Sequence, residues 1–528
     1  MPQNFILGID CGSTTAKAVI FSPVGQIMGI GRARIVQHMD RPHHVERDLH
    51  ETWCAVAATV RDALADAKLD GHSIASIGVT AHGDGLFLLD RLGNPLGRGI
   101  MSLDSRGRDV HESWKQEGLL DQLMPISGQR PYPYSATTIL AWLRDHEPER
   151  YHAIGSVIFA KDWIRLCLTG RVATDLTEAS TAFTDLHTQD YSDQILSLLG
   201  LSDIRGALPE ILLSCDLAGV ITPSAAAATG LLAGTPVSAG LHDVTSAAVG
   251  LGNTRAGDMT ITAGTFSINE VFRDRPVVGN DWACRAGYRR GLWNCMAISP
   301  ASSSNLEWMA QILLPDQSNA AAALLKDVEA RLLSSRHDHA VPIYHPYLFG
   351  SPYEMPASAS FFGVQSWHDR TDLLQAIIEG TIFNHRQHVE ALRRTGAVNR
   401  IGVSGGGSGQ AGIAQLFANI LGQSVEISEV REAGALGAAL TAAVSVGIYP
   451  ELEQACAAQC VGRRAFKPDP EAMRFYDGAY HHYVDLIQAL QPFWPRLYDG
   501  KYQSSSKLNV GVPMTPQVSE SVLTEANP

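Results

Sequence analysis

No stretch of this 528-residue chain stays apolar for the ~20 positions that a membrane-crossing helix requires. The most apolar long segment, 433–448, is mostly Ala, Gly and Val, and reads instead as a buried, closely packed helix. Cysteine is sparse. The eight present (11, 54, 167, 215, 284, 295, 456 and 460) are scattered without the spacing of a disulfide framework, which points to a reducing compartment. Cys456 and Cys460 stand one helical turn apart, but no nearby Cys or His pair completes a zinc site. Basic residues are outnumbered, 41 Lys and Arg against 54 Asp and Glu, and the net charge of −13 argues against nucleic acid or an anionic membrane as partner. An anionic ligand must then be held by local devices: N–H nests, helix N-termini and a divalent cation. The opening MPQNFILGID lacks the basic and apolar regions of a secretory leader, so a cytoplasmic location is expected.

What is there is a near-repetition. Residues 6–21 (ILGIDCGSTTAKAVIF) and 260–272 (TITAGTFSINEVF) each read as an apolar strand, a tight Gly and Ser/Thr turn, and a second strand. Small residues let the backbone approach a ligand, and clustered N–H groups with hydroxyls suit phosphate oxygens. Two such turns suggest a duplicated domain closing on one nucleotide. The length fits two domains, and the restart near Met259 divides the chain into 1–250 and 251–500, with a Ser/Pro/Val-mixed tail over 501–528 expected to be disordered.

Around the first hairpin the pattern predicts a three-stranded antiparallel meander reaching about Ile35, then a helix from Asp48 to about Lys68 opened by capping-box spacing at Asp48 and Glu51. Strands follow at 74–80 and 85–90, helical patterns dominate 107–169 up to Gly170, and a strand at 237–241 runs straight into Asp243. In the second half a long helix is expected over 372–395, and a strand over 400–404 that passes through Gly405, Gly406, Gly407 and Ser408 into a helix.

Several positions carry chemistry. Asp10 ends an apolar strand beside Gly12, Ser13, Thr14 and Thr15, which suits a Mg²⁺ held through water; the plainer alternative is an Asp that caps the turn. Lys17 is a candidate phosphate contact or a solvated strand lysine. Asp243 stands at a strand-to-helix junction, as a general base toward a hydroxyl or as an N-cap, and the Gly264–Thr265 hairpin some twenty residues on favours the base. His82 and Asp84, between glycines after a buried strand, form a loop suited to hydroxyls. Asp104, with Arg106, makes a similar polar break or a salt-bridged loop.

One segment is more specific than these. Ala359 to Val364 (ASFFGV), then Asp372-Leu373 and Ala376 to Gly380 (AIIEG), fits position for position the second motif of the FGGY carbohydrate kinases. Asp10 to Thr14, Glu46-x-Asp48 ahead of Trp53, Asp243, and the GGGS with Glu432 to Ala439 fall in that family's order, so the resemblance covers about residues 5–490. It implies an α/β protein of two actin-like (ribonuclease H-like) ATPase domains flanking a cleft that binds ATP and Mg²⁺. A small sugar or polyol is phosphorylated there, with Asp243 as base and Asp10 and Asp243 as metal candidates. The ATP contacts implied are Gly12, Ser13, Thr14, Thr15, Lys17, Gly264, Thr265 and Gly405 to Ser408; the sugar contacts are His82, Asp84, Asp104 and Asn305. Family members are often homodimers. The first motif departs from the family, because Ile139 stands where a Lys usually precedes the Trp142 position. The chain resembles the L-xylulose kinase branch in lacking that Lys, and in 85–90, 146–151 and 303–308. At position 84, however, that branch carries a basic residue, and erythritol kinases are similar to this chain in having Gly-Asp-Gly. A carboxylate accepts from neutral hydroxyls and repels an acid, so Asp84 favours a neutral ketose or a polyol over a sugar acid; the branch resemblance implies an L-xylulose-type pentulose first, and erythritol or another polyol as the alternative. The alternative from another class is an actin- or Hsp70-like ATPase with no sugar acceptor.

Overall fold

The computed structural model describes residues 5–316, 320–334, 341–352, 357–405, 409–430, 432–460 and 462–495. Gly406, Gly407 and Ser408, and the tail expected over 501–528, lie outside the described residues.

Alternation of apolar residues closes the first hairpin from Phe5–Cys11 and Thr15–Phe21, and Ile27–Arg34 completes the antiparallel meander. Ile74–Ala81 then adds in parallel beside Phe5–Cys11, and Pro236–Ser238 and Leu241–His242 pair with it in turn. The second half repeats the plan. Asp258–Ala263, Ser267–Arg273 and Trp293–Ser299 form the meander, and Arg400–Ser404 joins Asp258–Ala263 in parallel. Two seven-stranded mixed sheets result. Helix Leu49–Ala67 starts at Asp48, whose side chain accepts the Glu51 N–H, and it covers the first meander with an apolar stripe that includes Val56, Val60 and Leu64.

The other face of the first sheet receives a helix from far along the chain. Ala433–Ser445, almost wholly buried, packs on Phe5–Cys11, on Ile74–Ala81 and on helix Asp243–Gly250. Gly8 and Gly78 sit opposite each other in register, and a Cβ on either would come within 1.9 and 1.8 Å of the carbonyl oxygens of Ala435 and Ala438. The helix therefore rests on bare backbone, where no side chain fits. Five helices span 108–169 in the first half; the first four enclose a further core with Trp114, Ile139, Leu140 and Phe183, and the fifth packs into the core of the first sheet. Gly170 ends the last of them in the left-handed conformation, φ 72°.

Candidate functional site

The strand Phe5–Cys11 delivers Asp10 to the head of the cleft, paired across the hairpin with Lys17 and in parallel with Thr80. Leu241–His242 runs alongside Thr80–Ala81 and passes directly into helix Asp243–Gly250, which brings Asp243 to the same level. Burial pushes the Asp10 carboxyl up to about 6, with Lys17 opposing and Glu432 adding to the rise. Asp243 is pushed up to about 7, first by burial and then by the charge of Asp10, while its Oδ1 accepts the Val244 N–H at 2.8 Å. The carboxyl is recessed among protein atoms yet 36% open to the cleft. Two buried carboxyls with raised proton affinity, Asp243 raised in part by the charge of Asp10, have an excess of negative charge to neutralise.

That excess fits a divalent cation. A Cβ on Gly434 would lie 2.8 Å from Asp10 Oδ2, so the glycine leaves the space beside the carboxylate clear. Lys17 is engaged: its Nζ lies 2.9 Å from Glu432 Oε2, and Arg32 also binds that carboxylate. Lys17 is thus a strut between hairpin and helix. Among the described residues no group of three or more His, Cys, Asp or Glu is placed to hold a metal ion.

Both turns are braced from behind. Arg47, fully buried, donates to the carbonyls of Gly12 (3.0 Å) and Ser13 (3.1 Å), and the Gly12 N–H closes the turn on Thr15 O at 3.0 Å. In the second turn Ser303 N–H and Oγ donate to Gly264 O, and Ser304 Oγ reaches Thr265 O at 3.3 Å. Thr14 and Thr265 stay exposed at the turn tips. Gly405, with φ 84°, bends the chain where Arg400–Ser404 ends.

The loop after Ile74–Ala81 forms the other end of the site. Asp84 adopts the left-handed conformation, φ 59°, followed by Gly85 at 74°. Its carboxylate meets Arg285, at 3.1 Å from Nη2 and 3.4 Å from Nη1. Arg285 Nε donates to Gln129 Oε1 at 2.7 Å, and Gln129 Nε2 is fixed by the carbonyls of Ser180 and Thr181. Tyr132 and Tyr134, stacked at 5.1 Å, stand within electrostatic reach of both charges. His82 and His242 are buried, and burial holds both imidazoles neutral, His242 down to about 4. Neither ring nitrogen of His82 has a hydrogen-bond partner in the protein.

Two expected sugar contacts are corrected. Asp104 is 1% exposed and its oxygens are consumed: Oδ1 by the Arg106 N–H and Nε, Oδ2 by the Val45 N–H and Arg106 Nη2. Asn305 is wholly buried in the second half, donating to Ser302 O and accepting from the Tyr344 hydroxyl. The expectation for Asp84 also changes, since it is half of an ion pair rather than a lone carboxylate.

Sequence reasoning missed Arg47, Gln129, Arg285 and a buried ionic cluster behind Asp243. In that cluster Lys161 bridges Asp162 (2.7 Å) and Asp175 (3.0 Å), and Lys161 and Arg165 both donate to Ala239 O. Asp175 also accepts from the Thr177 hydroxyl, which accepts the His242 N–H at 2.8 Å. The residue before Asp243 is thereby fixed. A Lys-Asp pair followed by Arg at helical spacing was the available signal.

Residues 5–250 match the model of the N-terminal domain of the FGGY family of carbohydrate kinases, and residues 259–446 match the model of its C-terminal domain. The chain is 33% identical over 517 residues to the L-xylulose/3-keto-L-gulonate kinase of Escherichia coli K12, covering 94% of this chain and 99% of that one. It is 28% identical over 522 residues to the erythritol kinase of Brucella abortus, covering 94% and 98%. The crystal structure of xylulose kinase from Rhodospirillum rubrum superposes with a TM-score of 0.83 at 25% identity, covering 93% of this chain and 99% of that one.

Proposed function

The chain belongs to the FGGY family of carbohydrate kinases, with two actin-like domains, and on that premise we propose that it transfers the γ-phosphoryl group of ATP to a hydroxyl of a small neutral ketose, an L-xylulose-type pentulose foremost. The observation that carries the reading is the position of Asp243, at a helix start level with Asp10 and within electrostatic reach of Asp84, which pairs with Arg285. A hydroxyl held beside Asp84 would come within reach of a carboxylate whose proton affinity is matched to neutral pH, the condition for efficient general base catalysis.

The residues then divide the work. Asp243 accepts the hydroxyl proton as the phosphoryl group departs, and the turns at Gly12–Thr15 and Gly264–Thr265 face the phosphate oxygens with backbone and hydroxyl groups. Gly405, where the chain bends at the end of Arg400–Ser404, would border the nucleoside. Mg²⁺, held through water by Asp10 and Asp243, would supply charge neutralisation at the phosphates. His82 and Asp84 position the sugar. The working halves are residues 1–250 and 251–500, and closure between them excludes water. All eight cysteines are free thiols, five of them buried, which supports a cytoplasmic enzyme. A homodimer is the assembly we assign.

A coupled ADP-release assay over L-xylulose, D-xylulose, L-ribulose, erythritol, glycerol and 3-keto-L-gulonate tests this reading. L-Xylulose should give the highest kcat/KM. A best value with erythritol would make the enzyme a polyol kinase, a reading the relative in Brucella abortus favours. Sugar-independent ADP release, unchanged by every member of the panel, would leave only an ATPase.

A further inference from the structure

We propose that Arg285 is a sugar-contacting residue supplied by the second half of the chain, and that Asp84 sets substrate class by holding its guanidinium away from sugar acids. The inference rests on the kinase reading above and adds a residue and a rule of discrimination to it.

Arg285 lies on Ala283–Ala286, the edge strand of the second sheet, whereas Asp84 lies on a loop leaving the first. Their ion pair therefore crosses the cleft between the two halves. It is well shielded, with the side chains only 6% and 16% exposed. Such a pair is commonly structural, and three features point beyond that. Its contacts, 3.1 and 3.4 Å, are long for a charge-assisted pair, which usually closes to about 2.8 Å. The guanidinium has five N–H groups, of which Gln129 takes one and Asp84 two, and the carboxylate has lone pairs to spare. The surroundings are also unusually polar: the stacked Tyr132 and Tyr134 lie within electrostatic reach of both charges, as does His242, beside the base Asp243.

A hydroxyl is the group that can use this arrangement, because it donates and accepts at once. It can give its hydrogen to Asp84 and take one from Arg285 without unbalancing either charge. A sugar carboxylate cannot. It must either compete with Asp84 for Arg285 or lie beside a second carboxylate in a shielded site, and an unpaired buried charge is costly. Discrimination against the acid thus comes from a repulsive element as much as from attraction to the neutral sugar. Neutralising Asp84 should release Arg285 to pair with an acid. In this chain the guanidinium comes from the opposite domain, so a bound hydroxyl would also tie the two halves together.

The experiment compares L-xylulose with 3-keto-L-gulonate on the full-length enzyme, by kcat/KM and by calorimetric binding with a non-hydrolysable ATP analogue. Asp84→Asn should shift the acid-to-neutral ratio toward the acid by about tenfold or more, the scale expected for one shielded charge. Arg285→Gln should raise KM for L-xylulose by about tenfold while kcat changes by less than about threefold, and Arg285→Lys should restore part of that loss. Adding Arg285→Gln to Asp84→Asn should abolish the gained acid affinity. A ratio that moves by less than about twofold in Asp84→Asn, or acid affinity that survives in the double variant, overturns the proposal. A purely structural pair would lower Tm and both substrates alike. Should Asp84→Asn not fold, Arg285→Gln decides alone: an unchanged KM sinks the assignment. Absence of turnover on every neutral sugar would defeat the kinase reading, while the calorimetric ratio would still test the pair.

Discussion

The two hairpins share a frame and differ in charge. Asp10 faces Thr80 in the neighbouring parallel strand, and at the corresponding place of the second sheet Thr262 faces Ser404. The first turn lies between Asp10 and Lys17, while nothing from Thr260 to Ile268 is charged. A duplicated scaffold has thus been specialised by one pair of side chains: the acidic copy attracts a cation, and the hydroxyl copy can approach phosphate oxygens without repelling them.

Removing the carboxylate that stands between the hairpins should have the largest effect. Asp243→Asn is expected to lower kcat by about 10²–10⁴, the range for a lost general base, with ATP binding retained; activity within about tenfold of wild type would sink the base assignment. In the wild type kcat should fall as pH drops below about 7, where this carboxyl takes up its proton. The folded state keeps that proton between 3.8 and about 7, after the unfolded chain has released it, so this group's contribution to stability is lost as pH rises through the window. Asp243→Asn should therefore melt at a higher temperature than wild type at about pH 8, by calorimetry, despite being inactive.

Next comes the acidic copy itself. Asp10→Asn should cost about a hundredfold in kcat/KM and raise the Mg²⁺ concentration for half-maximal activity, measured by metal titration. Erasing the difference from the other side is milder: Thr262→Asp would put a second acid beside the phosphates and cost about tenfold, read as a higher KM for ATP. Asn305→Ala, outside both hairpins, should change KM for sugar by less than about twofold while leaving the Tyr344 hydroxyl unsatisfied at about 1–3 kcal/mol of stability.

The local features were legible in the sequence because their causes are local. The Asp48 cap, the Gly/Thr turns and the strand that breaks into helix at Asp243 depend on neighbours within a few residues. Asp104 and Asn305 misled for the opposite reason. Each has a residue type and loop position suited to hydroxyls, but nearby Arg106 and Ser302 take part of their bonding capacity, and Val45 and Tyr344, from 59 and 39 residues away, close off the rest. Arg285 had no local mark, since Asp84 lies 201 residues distant; Lys17 meets Glu432 across 415. Burial and pairing at that range are properties of the assembled sheets.

Helix Ala433–Ser445, lying on the bare backbone at Gly8 and Gly78, makes the two halves unequal as independent pieces. A fragment ending near residue 250 would keep all seven strands of its sheet but lose the cover of one face, exposing Ile6, Val19 and Leu241 with it. The ancestral unit implied by the repeated hairpins has ceased to be a module: synthesis of the first sheet precedes, by nearly two hundred residues, the segment that completes it.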